Sequence, residues 1–351
     1  MAVGESVLVG NLSYLAIGRE ATFGTYATAT AGIAFMSAAM KSMKETKILE
    51  SIQTSRTNSH FIQQGKVVEG SIEAYYSPRN LGLNYLLQNA FGGGAVTSAT
   101  ATGETIGGAA FSHQIDIANF LTTYSSLCLN VRKGQATTGK VFEYSGVRVN
   151  ELTLKAELDE PLMMSVSVIA KDSTATANDV SSVLDTTTAA QIPLSFVNGR
   201  FSVETAPGSL TTTSYWHVQD FEFKISNNLN ADTSSRRIGS DVIQVLPAGL
   251  AQFALTATIR FDTTTAFDAM MAGTRLAAEF QFEGATLTGS AVREGIKITM
   301  PYVVISDAGD PEISSAQDPL TSSVTFAVLR DPTASGYAVR ASVTNLTSSY
   351  A

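Results

Sequence analysis

Residues able to carry chemistry are few in this chain, and they are scattered. Three histidines, His60, His113 and His217, stand singly in polar or strand-like contexts. Acid–base and metal sites need partners at set spacing, and the sequence holds neither an HExxH run nor a His/Cys cluster. The three are therefore read as structural or solvated. The run Gly134-Gln135-Ala136-Thr137-Thr138-Gly139-Lys140 imitates a phosphate loop, but Val141 stands where Ser or Thr is needed. Val141-Phe142-Glu143-Tyr144 then continues as strand, without the helix N-terminus that supplies a phosphate cradle with donors and dipole. A hairpin turn is expected there. Asp307, Asp310, Glu312 and Asp318 lack the spacing of an EF-hand and are read as a solvated acidic loop. The single cysteine, Cys128, lies between Leu127 and Leu129, the setting of a small core hydrophobe. No catalytic residue, cofactor or metal site is predicted, and the chain is not read as an enzyme.

The composition points the same way. At 351 residues the chain is long enough for two domains, each with a core. Hydrophobic residues make up 44% and charged residues only 15%, against roughly 25% charged in ordinary soluble domains. Ser, Thr, Ala and Val fill the difference, which suits sheets covered by neighbouring subunits. A net charge of −8 argues against a nucleic-acid binder with a basic face. One cysteine allows no disulfide framework, so a reducing compartment fits. No apolar run reaches the length of about 18 residues that a membrane helix needs. The first 13 residues lack the basic start and apolar core of a signal peptide. Assembly in cytoplasm, with no membrane partner, is expected.

Two stretches organise the chain. Gly70-Ser71-Ile72-Glu73-Ala74-Tyr75-Tyr76 alternates as a strand and is followed by Ser77-Pro78-Arg79-Asn80 and an apolar run to Ala90. Ala254-Leu255-Thr256-Ala257-Thr258-Ile259-Arg260-Phe261 is followed likewise by Asp262-Thr263-Thr264-Thr265 and an apolar run to Ala272. Ser77 and Asp262 are the expected N-caps, with Pro78 at the first helical position. Leu83, Leu86 and Leu87, and then Phe267, Met270 and Met271, fall at i, i+3, i+4 and predict one buried face per helix.

Other elements fit around this pair. Residues 1–13 read as an arm, 14–17 as a strand closing at Gly18-Arg19-Glu20, and 33–43 as a long buried strand. Residues 41–66 are polar and basic-biased, consistent with a projecting two-stranded hairpin. Gly92-Gly93-Gly94 opens a low-complexity surface insertion to about Ala110. Residues 147–158 and 162–170 alternate as a hairpin across Asp159-Glu160-Pro161. Residues 173–190 read as a linker, and 332–351 as a short tail. In the second half a strand over 218–225 leads into a polar loop over 226–241, and a closing hairpin over 296–305 and 323–329 follows. Gly199-Arg200 lies 181 residues after Gly18-Arg19, Asp262 lies 185 after Ser77, and Met270 lies 184 after Leu86. Offsets held this steady predict an internal duplication, with domains over 1–180 and 181–351.

Gly18-Arg19-Glu20-Ala21-Thr22-Phe23-Gly24-Thr25 resembles the opening "GxExTxGT" run of the tail tube proteins (major tail proteins) of long-tailed bacteriophages. The Glu69-Gly70 strand with its following helix is similar to that family. So are the hairpins ending Ala170-Lys171-Asp172 and Leu329-Arg330-Asp331. The resemblance implies a mainly β fold, here two tandem tail-tube-type β-sandwich or barrel domains, each with one short flanking helix and a long projecting loop. It implies a virion protein of the tail, assembled in the host bacterial cytoplasm into stacked rings around a channel for DNA. Tape-measure, tail terminator and distal tail proteins are the further partners it implies. A duplicated chain is expected to close a pseudo-sixfold ring from three subunits, with a six-subunit ring as the alternative. Lumen strands should be polar or acidic so that phosphates slide past. Glu151, Glu157, Asp159, Glu160, Asp307, Asp310, Glu312 and Asp318 are the candidate lumen or rim acids. Lys41, Lys44, Lys47, Arg56, Lys66, Arg236 and Arg237 are the candidate contacts between rings. An adhesive or carbohydrate-binding phage decoration or fibre module is the rival reading; it requires an aromatic platform, for which only Tyr215 and Trp216 are available.

Overall fold

Alternating apolar and polar positions set most of this chain as strand. The structure, a computed structural model, describes residues 10–50, 57–58, 60–103, 110–118, 126–135, 139–184, 192–206, 210, 215–309, 319–332 and 336–350. The first half supplies β1 (Tyr14–Arg19), β2 (Ala31–Ile33), β3 (Ser37–Leu49), β4 (His60–Tyr75) and helix α1 (Leu81–Ala90). It continues with β5 (Thr97–Thr100), β6 (Phe111–Asp116), β7 (Leu127–Lys133), β8 (Lys140–Glu157), β9 (Met163–Ala170) and β10 (Asp172–Thr176). The second half supplies β11 (Gly199–Thr205), β12 (Val218–Ser226), β13 (Gln252–Arg260) and helix α2 (Thr265–Ala272). Then come β14 (Leu276–Thr286), β15 (Arg293–Ala308), β16 (Thr321–Val328) and β17 (Arg340–Asn345). The protein is mainly β, and every pairing between these strands is antiparallel.

Two long strands tie the layers together. The N-terminal part of β8 lies between β7 and β10, and its C-terminal part between β9 and β12. The N-terminal part of β15 lies between β14 and β17, and its C-terminal part pairs with β16. Further pairings recur in the same chain order. β1 pairs with β7, β9 with β4 and β4 with β3; β11 pairs with β14, β16 with β13 and β13 with β12. Helix α1 packs on β8, and α2 packs on β15. A bulge interrupts β8 between Val149 and Glu151 and β15 between Ile305 and Asp307. Through the β8–β12 pairing, β3, β4, β9, β8, β12, β13, β16 and β15 form one continuous sheet. One core cluster spans both halves, from Leu15, Ile17, Leu152 and Val166 to Phe223, Phe280, Ile298 and Phe326.

The structure corrects several expectations. Ser77 does not cap α1. Pro78 occupies a turn closed by the Asn80 N–H donating to the Ser77 carbonyl, 3.1 Å, so the helix starts later. Asn80 is the cap, its side chain accepting from the Leu83 N–H. The Ser77 hydroxyl is buried with no partner among the described residues. Likewise Thr264, not Asp262, precedes α2, and it makes no capping bond. The buried face of α2 shifts with that start: Ala266 is buried and Ala269 and Met270 pack on the core, while Phe267 and Met271 are exposed. Leu83, Leu86 and Leu87 are buried as expected.

Residues 33–43 do not form a buried strand. They split between β2 and β3, and of β3 only Met40 is buried, because β3 borders the sheet and turns one face to solvent. Gly18-Arg19 closes β1 whereas Gly199-Arg200 opens β11, so that pair is not an equivalent anchor. The insertion after Gly94 is at the surface as expected, with Thr97, Ala99, Thr100, Thr102 and Gly103 exposed, but it is anchored at its end. Ala101 and Ala110 are buried against Leu287, and β6 pairs with β17, reinforced by Arg340 donating to Asp116 at 2.6 and 2.8 Å. The linker begins as β10, paired to β8, and the tail contains β17 with Tyr350 buried on His113. Residues 1–9 of the arm, 104–109 of the insertion and 185–190 of the linker lie outside the described residues.

Candidate functional site

The alternation that builds the continuous sheet also divides its two faces. On β8, Leu152, Leu154 and Ala156 point into the core, and Glu151, Thr153, Lys155 and Glu157 point away. On β12, Phe221, Phe223 and Ile225 point inward, opposite Asp220, Glu222 and Lys224. The same division on β13 leaves Thr256, Thr258 and Arg260 outside, and on β4 it leaves Glu69, Ser71 and Glu73. Antiparallel register then aligns the outward residues in rows. One row reads Tyr75, Met163, Lys155, Glu222, Thr256, Thr325 and Asp307. The next reads Glu157, Asp220, Thr258 and Ser323.

This face is polar across both halves and carries more acid than base. Glu69, Glu73, Glu151, Glu157, Asp220, Glu222 and Asp307 stand on it with Lys41, Lys155, Lys224 and Arg260. Lys155 pairs with Glu157 at 2.5 Å and Lys224 with Glu151 at 3.0 Å, while Thr258 donates to Asp220 at 3.1 Å. Such exposed pairs add little stability. Their effect is to hold the basic side chains against acids.

Of the acids singled out in the sequence, Glu151, Glu157 and Asp307 share this face. Asp159 and Glu160 are exposed in the turn at the sheet's end, where Asp159 takes a φ of 65°. Asp310, Glu312 and Asp318 lie outside the described residues. Glu69, Glu73, Asp220 and Glu222 were not singled out. Strict alternation with Phe221, Phe223 and Ile225 was the signal for the last two.

The basic residues divide differently. β3 and β4 form the expected projecting hairpin, running from Lys41 opposite Glu69 to Leu49 opposite His60. At its base Lys44 pairs with Asp241 at 2.5 Å, and Lys66 with Asp172 at 2.6 Å. The Lys66 N–H donates to the Asp241 carbonyl, and Arg236 donates to the Lys66 carbonyl. Lys44 holds the Asp241 carboxyl below its ordinary range. Lys44, Lys66 and Arg236 thus clamp the loop after β12 onto the hairpin base. Lys41, Lys47 and Arg237 are exposed, and Arg56 lies outside the described residues. Beyond the clamp, Ile48, Leu49, Phe61 and Ile62, apolar positions on either side of residues 51–56, are exposed, while 51–56 themselves lie outside the described residues.

At the opposite end of the sheet is a pocket of about 410 Å³. It is lined by the end of β8, residues 196–201 and the start of β12, with Leu158, Phe196, Val197, Tyr215 and Trp216 among its walls.

The remaining sequence candidates are structural. His113 is buried, bonded to the Ser98 hydroxyl at 2.7 Å and to Asn345 at 3.1 Å. His60 and His217 are exposed. Burial pushes the Cys128 thiol up to about 12. Gly134, at φ 93°, turns β7 into β8. No group of three or more metal-ligating side chains occurs among the described residues.

No curated protein matches the chain. Among solved structures, the crystal structure of Hcp protein is similar at 13% identity, covering 42% of this chain and 97% of that one, with a TM-score of 0.27. A family model described as phage tail tube protein matches residues 10–328. That match takes in nearly the whole chain, which therefore belongs to the phage tail tube protein family.

Proposed function

We propose that three copies of this tail tube protein close into a pseudo-sixfold ring, and that the rings stack into a hollow tube through which genomic DNA leaves the particle. Family membership makes the chain a structural component of the virion tail. The finer reading treats the halves as two copies of one module. Its support is the recurrence of the same strand pairings, in the same chain order, around β8 and β15. By that equivalence β12 corresponds to β3, and β8 to β15. The internal β8–β12 seam then has a counterpart between chains, the C-terminal part of β15 against β3 of the next copy. Both partners are sheet borders: β14 pairs with β15 only as far as Val303, and β3 pairs only with β4 among the described residues. Ring closure would remove these edges.

The observation that carries the trimer is the shared sheet. A second half serving as outer decoration of a hexamer would not contribute β12, β13, β16 and β15 to the sheet that holds β3, β4, β9 and β8. Three such sheets, with strands ~4.8 Å apart, would give a barrel about 37 Å across its backbone before tilt widens it. Its lining would be the polar, acid-rich face, which offers phosphates no counterion-releasing grip. Tape-measure, terminator and distal tail proteins are the expected further partners. Electron microscopy and native mass measurement of the purified protein test the reading. Hollow tubes and rings of three chains are expected. Rings of six chains would overturn the trimer, and particles with no central hole would overturn the tube.

A further inference from the structure

We infer that Lys41 of one copy pairs with Asp307 of the next, and that this ion pair sets the register in which β3 meets β15 across the ring seam. The inference rests on the ring reading above and gives its seam named residues. The two halves supply the alignment. Val149 and Glu151 flank the bulge of β8, as Ile305 and Asp307 flank that of β15. Leu152, next after Glu151, stands opposite Val166, and Ala308, next after Asp307, stands opposite Val324. Val166 is also opposite Ile72, which faces Ala38 on β3; Val324 is also opposite Ala257, which faces Phe221 on β12. Ala38 is therefore the counterpart of Phe221, and no bulge intervenes before Lys41 or Lys224, each three residues on. By the same ladders Asp307 is the counterpart of Glu151.

The internal seam then serves as the template. There Leu152 lies opposite Ile225 and Thr153 opposite Lys224, and the Lys224 ammonium reaches diagonally to Glu151 at 3.0 Å. Transferred to the ring, Ala308 lies opposite Ser42, Gly309 lies opposite Lys41, and Lys41 reaches Asp307. Both side chains are exposed, and neither joins an ion pair among the described residues. Gly309 puts no side chain in the lysine's way. The Ala308 N–H on this border donates to the Met270 sulfur at 3.2 Å, a weak acceptor that a strand's carbonyl would replace. The two seams differ on their core side. Where β12 sets Phe221, Phe223 and Ile225, β3 sets Ala38, Met40 and Ser42. A strand poor in apolar side chains specifies its register weakly, so charge carries more of that task between copies than within the chain. Lys41 thus serves within a ring instead of between rings, and Asp307 serves the seam as well as the polar face.

The test uses the full-length chain. Lys41→Gln and Asp307→Asn should each raise the concentration at which rings form by about five-fold at low salt, the scale of one exposed pair per seam. The double variant should lose no more than either single, and high salt should bring the wild type to the same level. Glu69→Gln, which changes the acid opposite Lys41 in its own chain, should leave ring formation unchanged. Residues opposed in a ladder lie within disulfide reach. Lys41→Cys with Gly309→Cys should therefore cross-link chain to chain on oxidation, giving a three-chain species under denaturing conditions, with the buried Cys128 silent. Ser37→Cys with Gly309→Cys, four residues out of register, should not. Hollow rings in which the 41–309 pair stays unlinked, or losses that multiply in the double variant, overturn this register and leave the ring reading standing. Cross-linked species that run to six chains keep the register and overturn the trimer. Chains that neither close nor cross-link overturn both.

Discussion

Glu20, the acid of the "GxExTxGT" run, is buried and accepts from the Gly24 N–H at 2.9 Å, the Gly146 N–H at 2.9 Å and the Ser126 hydroxyl at 2.7 Å. Burial raises its pKa despite those bonds, so its place is that of a clamp joining the loop after β1 to the strands beside it. His113 shows the same economy of role at the seam between halves. Its ring is stacked on Tyr350 at 4.0 Å, and burial lowers its pKa. A depressed histidine pKa means that the unfolded chain takes the proton first. Its contribution to stability is therefore full above the unfolded value of about 6.5 and declines as pH falls toward the folded value. Denaturant midpoints at pH 7.5 and 5.5 should show a loss in acid that is smaller in His113→Gln.

At the scale of elements, the two helices are alike in placement and unlike in finish. Asn80 supplies a real cap to α1, whose residues from Gly82 to Ala90 are all buried. Thr264 donates its hydroxyl to Asp268 at 2.9 Å and leaves the backbone of α2 uncapped. Asn80→Ala should therefore cost about 1 kcal/mol, whereas Thr264→Ala should cost a few tenths at most, as for exposed substitutions away from caps. Urea unfolding of the two variants checks the difference. The helix positions were legible because an apolar run at i, i+3, i+4 marks a helix wherever it starts, although the caps lie three residues after Ser77 and two after Asp262. Cap identity was not, because Pro78 serves a turn as readily as a first helical position.

For the whole molecule, the polar face is where charge meets function. Glu69→Lys with Glu222→Lys changes only exposed positions, so folding and tube formation should persist, within about 1 kcal/mol of wild-type stability. Tubes carrying the reversal should retain duplex DNA at low salt and release it as salt rises. Wild-type tubes should retain none. Filter retention across a salt series reads this out, and equal retention by both would remove the lumen assignment from this face.

The sequence by itself determined what alternation and composition encode: a mainly β chain, the β8–β9 hairpin, the projecting β3–β4 hairpin, the buried Cys128 and the family resemblance. Those are local properties, since period-two patterning and turn residues act over a few positions. Only the tertiary structure decided which strands neighbour one another. The β8–β12 seam, the β6–β17 clamp and the rows that bring Glu222 beside Lys155 join residues far apart in sequence. Their register is chosen by the shared core, and no local pattern specifies it.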